Sequence, residues 1–231
     1  YDKLIVVLNI GGVMDLSEMR SIAGVNAILL MSQLGNLGGD ALLDVLTGKV
    51  NPSGKLPMSF PYCVGQVPVH YNEYATGRPH VEGKDKDRFR SKYLDIPNAP
   101  LYPFGYGLTY GKTEVTKAEM RDDGEHYTIT ATVKNEGCAV HEILQVYVRD
   151  NESEFAVRNH SLCAFKAVSL GANETCDAEI TVPKAALEIV DDTGTRRVDS
   201  RSFTFFVGTS QPDDRSAELL GTRPVAVELK L

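Results

Sequence analysis

Near Thr113 the hydrophobic period of this chain changes, and one layer architecture cannot serve both sides of the change. Upstream, apolar residues come in continuous runs separated by stretches of helix length. Residues 4–10 (LIVVLNI) form such a run, as a parallel strand covered on both faces requires. Gly11 and Gly12 end it, and Asp15 followed by Glu18 predicts a capping-box start to a short helix reaching about Ile22. Residues 26–33 (NAILLMSQ) give a second buried strand. A second helix is expected from about Asp40 to Thr47, stopped by Gly48 in the left-handed conformation. This β-α-β-α order places the first part of the chain in an α/β layer structure. Two strands cannot close such a sheet, so further strands are expected upstream of Tyr1 or on another chain.

From Thr113 onward the period is two. Residues 126–133 (HYTITATV) put Tyr127, Ile129, Ala131 and Val133 on one face and threonines on the other. Residues 143–148, 175–180 and 202–207 continue the pattern, with turn residues between them at 135–137, 171–173 and 192–194. Short strands at this spacing predict a β-sandwich of the fibronectin or immunoglobulin type. Tyr127, Ile129, Val133, Val146, Val148, Phe203 and Phe205 are its expected core. The fold class is therefore an incomplete α/β sandwich domain over 1–71, a Pro/Gly-rich connecting loop over 72–112, and an all-β sandwich over 113–231. Within the loop, residues 77–92 are polar, and 84–88 (KDKDR) alternate in sign. Such a run is usually solvated, but a loop this long in a compact chain is often functional.

Bulk properties exclude several functions. A net charge of −7, with acidic residues spread along the chain, does not suit a phosphate backbone, so no nucleic-acid partner is expected. The longest uncharged apolar stretch, residues 25–33, falls well short of the ~20 residues a membrane helix needs. Cys63, Cys138, Cys163 and Cys176 form no C-x-x-C pair and read as small buried hydrophobes of a reducing compartment, which leans toward the cytoplasm. Asn-x-Ser/Thr sites at Asn151, Asn159 and Asn173 lean the other way and decide nothing.

Chemistry is scarce in the local patterns. No G-x-S-x-G elbow is present, and the five histidines never fall four residues apart on a helix, so neither a serine nucleophile nor a zinc site is supported. Nothing calls for a cofactor. Residues 35–39 (GNLGG), between strand and helix, lack both phosphate-loop patterns and read as a tight turn.

An ordered series of motifs says more. GKVNPSGKLPMSFP at 48–61, GQVPVHY at 65–71, TGRP at 76–79 and LYPFGYGLTY at 101–110 resemble, in order and spacing, the C-terminal half of family 3 glycoside hydrolases. Residues 8–16 and 39–46 are similar to the elements that precede that region. Residues 133–137, 145–148 and 162–166 resemble the fibronectin type III-like module that closes many of these enzymes. The resemblance implies a retaining, exo-acting β-glycosidase acting on terminal β-linked glucose, xylose or related sugars. It implies an Asp nucleophile on a (β/α)8-like barrel and a Glu acid/base in a loop of the α/β domain upstream of the first strand here. Neither falls on this chain, so no catalytic residue is carried over and the isolated chain is expected to be inactive. The implied partners are that barrel, the upstream part of the α/β domain and a β-linked glycoside. Where the complementary piece is absent, the uncovered apolar sheet is expected to drive self-association. Where many members have Glu-Gly-Gly, this chain has Leu37-Gly38-Gly39, a position expected to pack on the sandwich. The loop ending at Tyr93 is a candidate substrate rim, with Arg88, Arg90 and Tyr93 as its sugar contacts, because Arg forks and aromatic faces suit hydroxyls and sugar rings. The competing reading is a non-catalytic β-sandwich module that binds a partner or carbohydrate.

Overall fold

The computed structural model describes residues 3–74, 76–80 and 87–231. Of the charged run at 84–88, only Asp87 and Arg88 are among the described residues.

The first part is a small α/β unit. Strand β1 (Leu4–Leu8) pairs in parallel with β2 (Val25–Leu30), and helix α1 (Ser17–Ser21) lies between them in sequence. A 3-10 turn over Gly35–Leu37 leads into α2 (Gly38–Leu46). The helix ends at Thr47, followed by Gly48 at φ +75, the left-handed residue expected there. The cap of α1 differs from the expected box. Asp15 accepts from the Ser17 amide at 2.7 Å and from the Val64 amide at 3.1 Å, so its carboxylate ties the helix start to the Pro-rich segment instead of accepting from the Glu18 amide. Leu8, Leu16, Phe60 and Leu101 form the small core of this unit.

As expected of an incomplete sheet, this chain covers its two strands only in part. Leu4, Ile5 and Val7 are 38, 49 and 37% exposed, because one short helix and the Pro-rich segment shield only part of a two-stranded sheet. Leu37, by contrast, does not pack on the sandwich as expected; it is 73% exposed at the start of α2.

The second part is the expected β-sandwich. One sheet has the order β3-β4-β7, from Lys112–Asp122, His126–Glu136 and Thr175–Pro183. The other has the order β11-β10-β5-β6, with β5 Val140–Asp150, β6 Ser161–Leu170, β10 Ser202–Gly208 and β11 Val225–Lys230. A two-residue ladder of β8 (Ile189–Val190) and β9 (Arg196–Arg197) and a helix α3 (Asp214–Leu220) complete it. Every strand pair in the two large sheets is antiparallel. The seven residues expected in the core are all buried, none above 8% exposure, because alternate side chains of β4, β5 and β10 converge between the sheets. Helix α3 has a clear local cause: Asp213 accepts from the Ser216 amide at 2.8 Å, and Gly221 closes it at φ +71.

All four cysteines are free, and they are not all small buried hydrophobes. Cys163 and Cys176 pack on the sandwich core, and burial pushes the Cys163 thiol up to about 12. Cys138, in the turn after β4, is exposed.

Candidate functional site

Two arrangements stand out where the connecting segment meets the sandwich: a polar junction that fixes their relative position, and a cleft lined by residues 92–99 and the α3 region. The junction begins in the Pro-rich motifs. Lys55 reaches Glu142 on β5 at 2.8 Å, with only 9% and 3% of the two side chains exposed. Glu142 also accepts from Thr113 Oγ1 at 2.5 Å and the Ile143 amide at 2.8 Å, while Lys55 donates to Gly107 O at 2.8 Å. A buried charge pair is tolerable only when the remaining bonding positions are filled in this way.

Alongside it, Gln145 on β5 donates to Gly105 O at 2.9 Å and Thr209 O at 3.0 Å, and accepts from the Tyr147 hydroxyl at 2.5 Å. Gly105 sits at φ +77, and a Cβ there would collide with the Gln145 and Tyr147 side chains; the glycine lets the PFG turn seat on them. Tyr71 stacks on Phe104 at 4.1 Å between ring centroids, and the Tyr147 and His160 rings pack beside it. Gln211 donates to Phe104 O at 2.9 Å, so its amide oxygen faces His160 Nε2 at 2.8 Å and selects the tautomer protonated at that nitrogen. Burial in this cluster lowers the His160 pKa from its ordinary value of 6.5; Arg149 adds to that, while the Gln211 bond and Asp213 partly offset it. Arg158 closes the row, its guanidinium 3.7 Å from the Tyr74 ring centroid and its Nη1 donating to Asn72 O at 3.0 Å.

Gln66 organises the loop that follows. It is 2% exposed, and its amide nitrogen lies 3.2, 3.1 and 3.1 Å from the carbonyl oxygens of Pro97, Asn98 and Ala99. Its side-chain oxygen accepts from the Tyr62 amide at 2.6 Å, and its backbone oxygen accepts from the Tyr93 hydroxyl at 3.1 Å. The three rim candidates have different surroundings. Arg90 donates to Asp87 Oδ2 and to Pro79 O, both at 3.0 Å, so its fork braces the loop internally. Arg88 is exposed, with its guanidinium 5.6 Å from the Phe89 ring centroid. Tyr93 alone of the three lines the cleft, a volume of about 1120 Å³ between residues 92–99 and the α3 region. Sequence reasoning did not find Gln66 or the α3 side of the cleft; the spacing of Asp213, Ser216 and Gly221 was a readable sign of that helix.

Among the described residues no cluster of three or more His, Cys, Asp or Glu could hold a metal ion, and no helix is long and apolar enough to cross a membrane.

Residues 1–110 match the glycosyl hydrolase family 3 C-terminal domain, and residues 142–211 match a fibronectin type III-like domain. The chain belongs to glycoside hydrolase family 3. Among its family 3 relatives, it is 35% identical to a periplasmic β-glucosidase of Salmonella typhimurium, over 79% of this chain and 24% of that protein. A β-xylosidase of Formosa agariphila is also 35% identical, over 78% of this chain and 24% of that protein. The crystal structure of a β-glucosidase from Listeria innocua in complex with isofagomine superposes with a TM-score of 0.85 at 31% identity, covering 99% of this chain and 31% of that one. The chain thus spans about a quarter of the length of these curated family 3 relatives.

Proposed function

We propose that this chain is the supporting, non-catalytic portion of a retaining exo-acting β-glycosidase that removes terminal β-linked glucose or xylose. The observation that carries this reading is the double match of this chain, the family 3 C-terminal domain followed by the fibronectin type III-like domain, together with its similarity to proteins named β-glucosidase and β-xylosidase. Retention needs two carboxyl groups ~5–5.5 Å apart, one to attack the anomeric carbon and one to protonate the leaving oxygen. The barrel Asp and the Glu of the upstream α/β segment fill those roles in this reading. The α/β portion over 1–71 docks on that upstream segment and the barrel through its exposed apolar strands. The loop over 72–112 carries the rim, with Tyr93 and the exposed Arg88 as its sugar contacts and Arg90 bracing it through Asp87 and Pro79, and the sandwich over 113–231 holds the loop in place. Without the complementary piece, the same apolar face drives self-association.

The test is reconstitution. The purified chain should not hydrolyse aryl β-glucosides or β-xylosides, and adding a barrel-bearing complementary piece should restore turnover. Hydrolysis by the chain alone, abolished by mutating one of its own carboxylates, would overturn the proposal.

A further inference from the structure

The Tyr93 rim opens onto a cleft whose other wall is the α3 region. Its charged lining is balanced: Lys92, Arg215 and Arg223 against Asp95, Asp214 and Glu218. Two of those pairs are closed, Arg223 to Asp214 at 2.6 Å and Arg215 to Glu218 at 2.7 Å. A lining without surplus charge has no preference for a phosphate or for an acidic or basic peptide. What it offers is paired carboxylate and guanidinium groups, largely exposed except at Arg215, that can accept from and donate to paired hydroxyls. Its aromatic element is prepared in the same sense. The Tyr93 ring is 39% exposed, while its hydroxyl is held by Gln66 O at 3.1 Å and its amide by Asn98 Oδ1 at 2.8 Å. On the far wall Arg215 is anchored, because it also donates to Leu101 O at 3.2 and 3.1 Å. A volume of about 1120 Å³ is large enough for several sugar rings, given that ligand sites run roughly 300–1,000 Å³.

We propose that this cleft binds a neutral oligosaccharide, with the Tyr93 ring as its stacking platform and the Asp214–Arg223 and Arg215–Glu218 pairs bonding its hydroxyls. The class of sugar, a β-linked gluco- or xylo-oligosaccharide, rests on the proposed function; the existence of the site does not. Gln66 is its positioning residue, since it holds the 93–99 wall without facing the cleft.

The test uses the whole 231-residue chain, titrated with a β-linked glucose tetrasaccharide and followed by NMR and calorimetry. Saturable shifts at 92–99 and 214–223 are expected, with a Kd of about 1 mM. Tyr93→Ala should weaken binding at least ~10-fold. Tyr93→Phe, which keeps the ring, should stay within ~3-fold and controls for folding, and Arg223→Ala should weaken binding from the opposite wall without disturbing the loop. Absence of saturable shifts at about 10 mM ligand, or binding that survives both Tyr93→Ala and Arg223→Ala unchanged, overturns the inference. The two readings fail separately. A reconstituted enzyme that turns over while the chain shows no shifts removes only this site. Shifts at the cleft without turnover remove only the glycosidase reading.

Discussion

The two parts of this chain use similar residues to opposite ends. In the sandwich, Val133, Val146 and Phe205 are fully buried, each facing the other sheet. In the α/β unit, Ile5 is 49% exposed and Val7 37%, on a strand at least as apolar as any in the sandwich. Composition alone does not separate them. The difference is that every inward face of the sandwich has a partner sheet within the chain, whereas the β1-β2 pair has cover on only part of its surface. A run of apolar residues therefore reports that burial is required somewhere and leaves open which segment provides it.

Introducing the same charge into each region should separate them most widely. Val133→Asp places a carboxylate where the neighbouring strands offer only Val115 and Cys176 opposite it, and should cost at least ~4 kcal/mol or unfold the sandwich, read by thermal or urea melting. A mutant that melts like the parent would mean that the β4 register is misassigned. Next in size is the pair that joins the two parts. Lys55→Met leaves Glu142 buried and unpaired and should cost roughly 3–5 kcal/mol, whereas Lys55→Met with Glu142→Leu should recover most of that loss. Equal losses in the single and double mutants would show that the pair is not the link.

A smaller effect comes from His160. Its folded pKa lies below the ordinary 6.5, so below pH 6.5 the unfolded chain binds the proton more readily than the folded one. Stability should therefore fall as pH drops from about 6.5 toward the depressed folded pKa, by at most ~1.4 kcal/mol per pH unit. His160→Gln should remove that component from the pH profile of stability; an unchanged profile would place the titration elsewhere. The smallest effect is Ile5→Asp, expected within ~0.5 kcal/mol for the chain alone, although it should abolish self-association measured by light scattering.

These contrasts also explain what was legible from sequence. The strands around Tyr127, Val146 and Phe205 were readable because their alternation is unbroken. In β3 the register shifts between Val115 and Lys117, so the inward residues change from odd to even positions and the period disappears. β6 has the same difficulty opposite Val146 and Tyr147. β11 alternates cleanly through Val225, Val227 and Leu229 and could have been read. In the site, Tyr93 was visible as an aromatic in a long loop. Gln66 was not, because its partners lie 31–33 residues away and a polar side chain buried by distant carbonyls leaves no local pattern. The Lys55–Glu142 pair is hidden for the same reason, since its partners meet only once the sandwich has folded against the Pro-rich segment.

The contrast between a closed sandwich and an open sheet is tested most directly by amide hydrogen exchange on the chain alone. The account predicts that amides of β4, β5 and β10 exchange only through global unfolding, while those of Leu4–Leu8 and Val25–Leu30 exchange at least ~100-fold faster, through local opening. Equal protection in the two regions would contradict it, because the β1-β2 pair would then be as fully supported by this chain as the sandwich core.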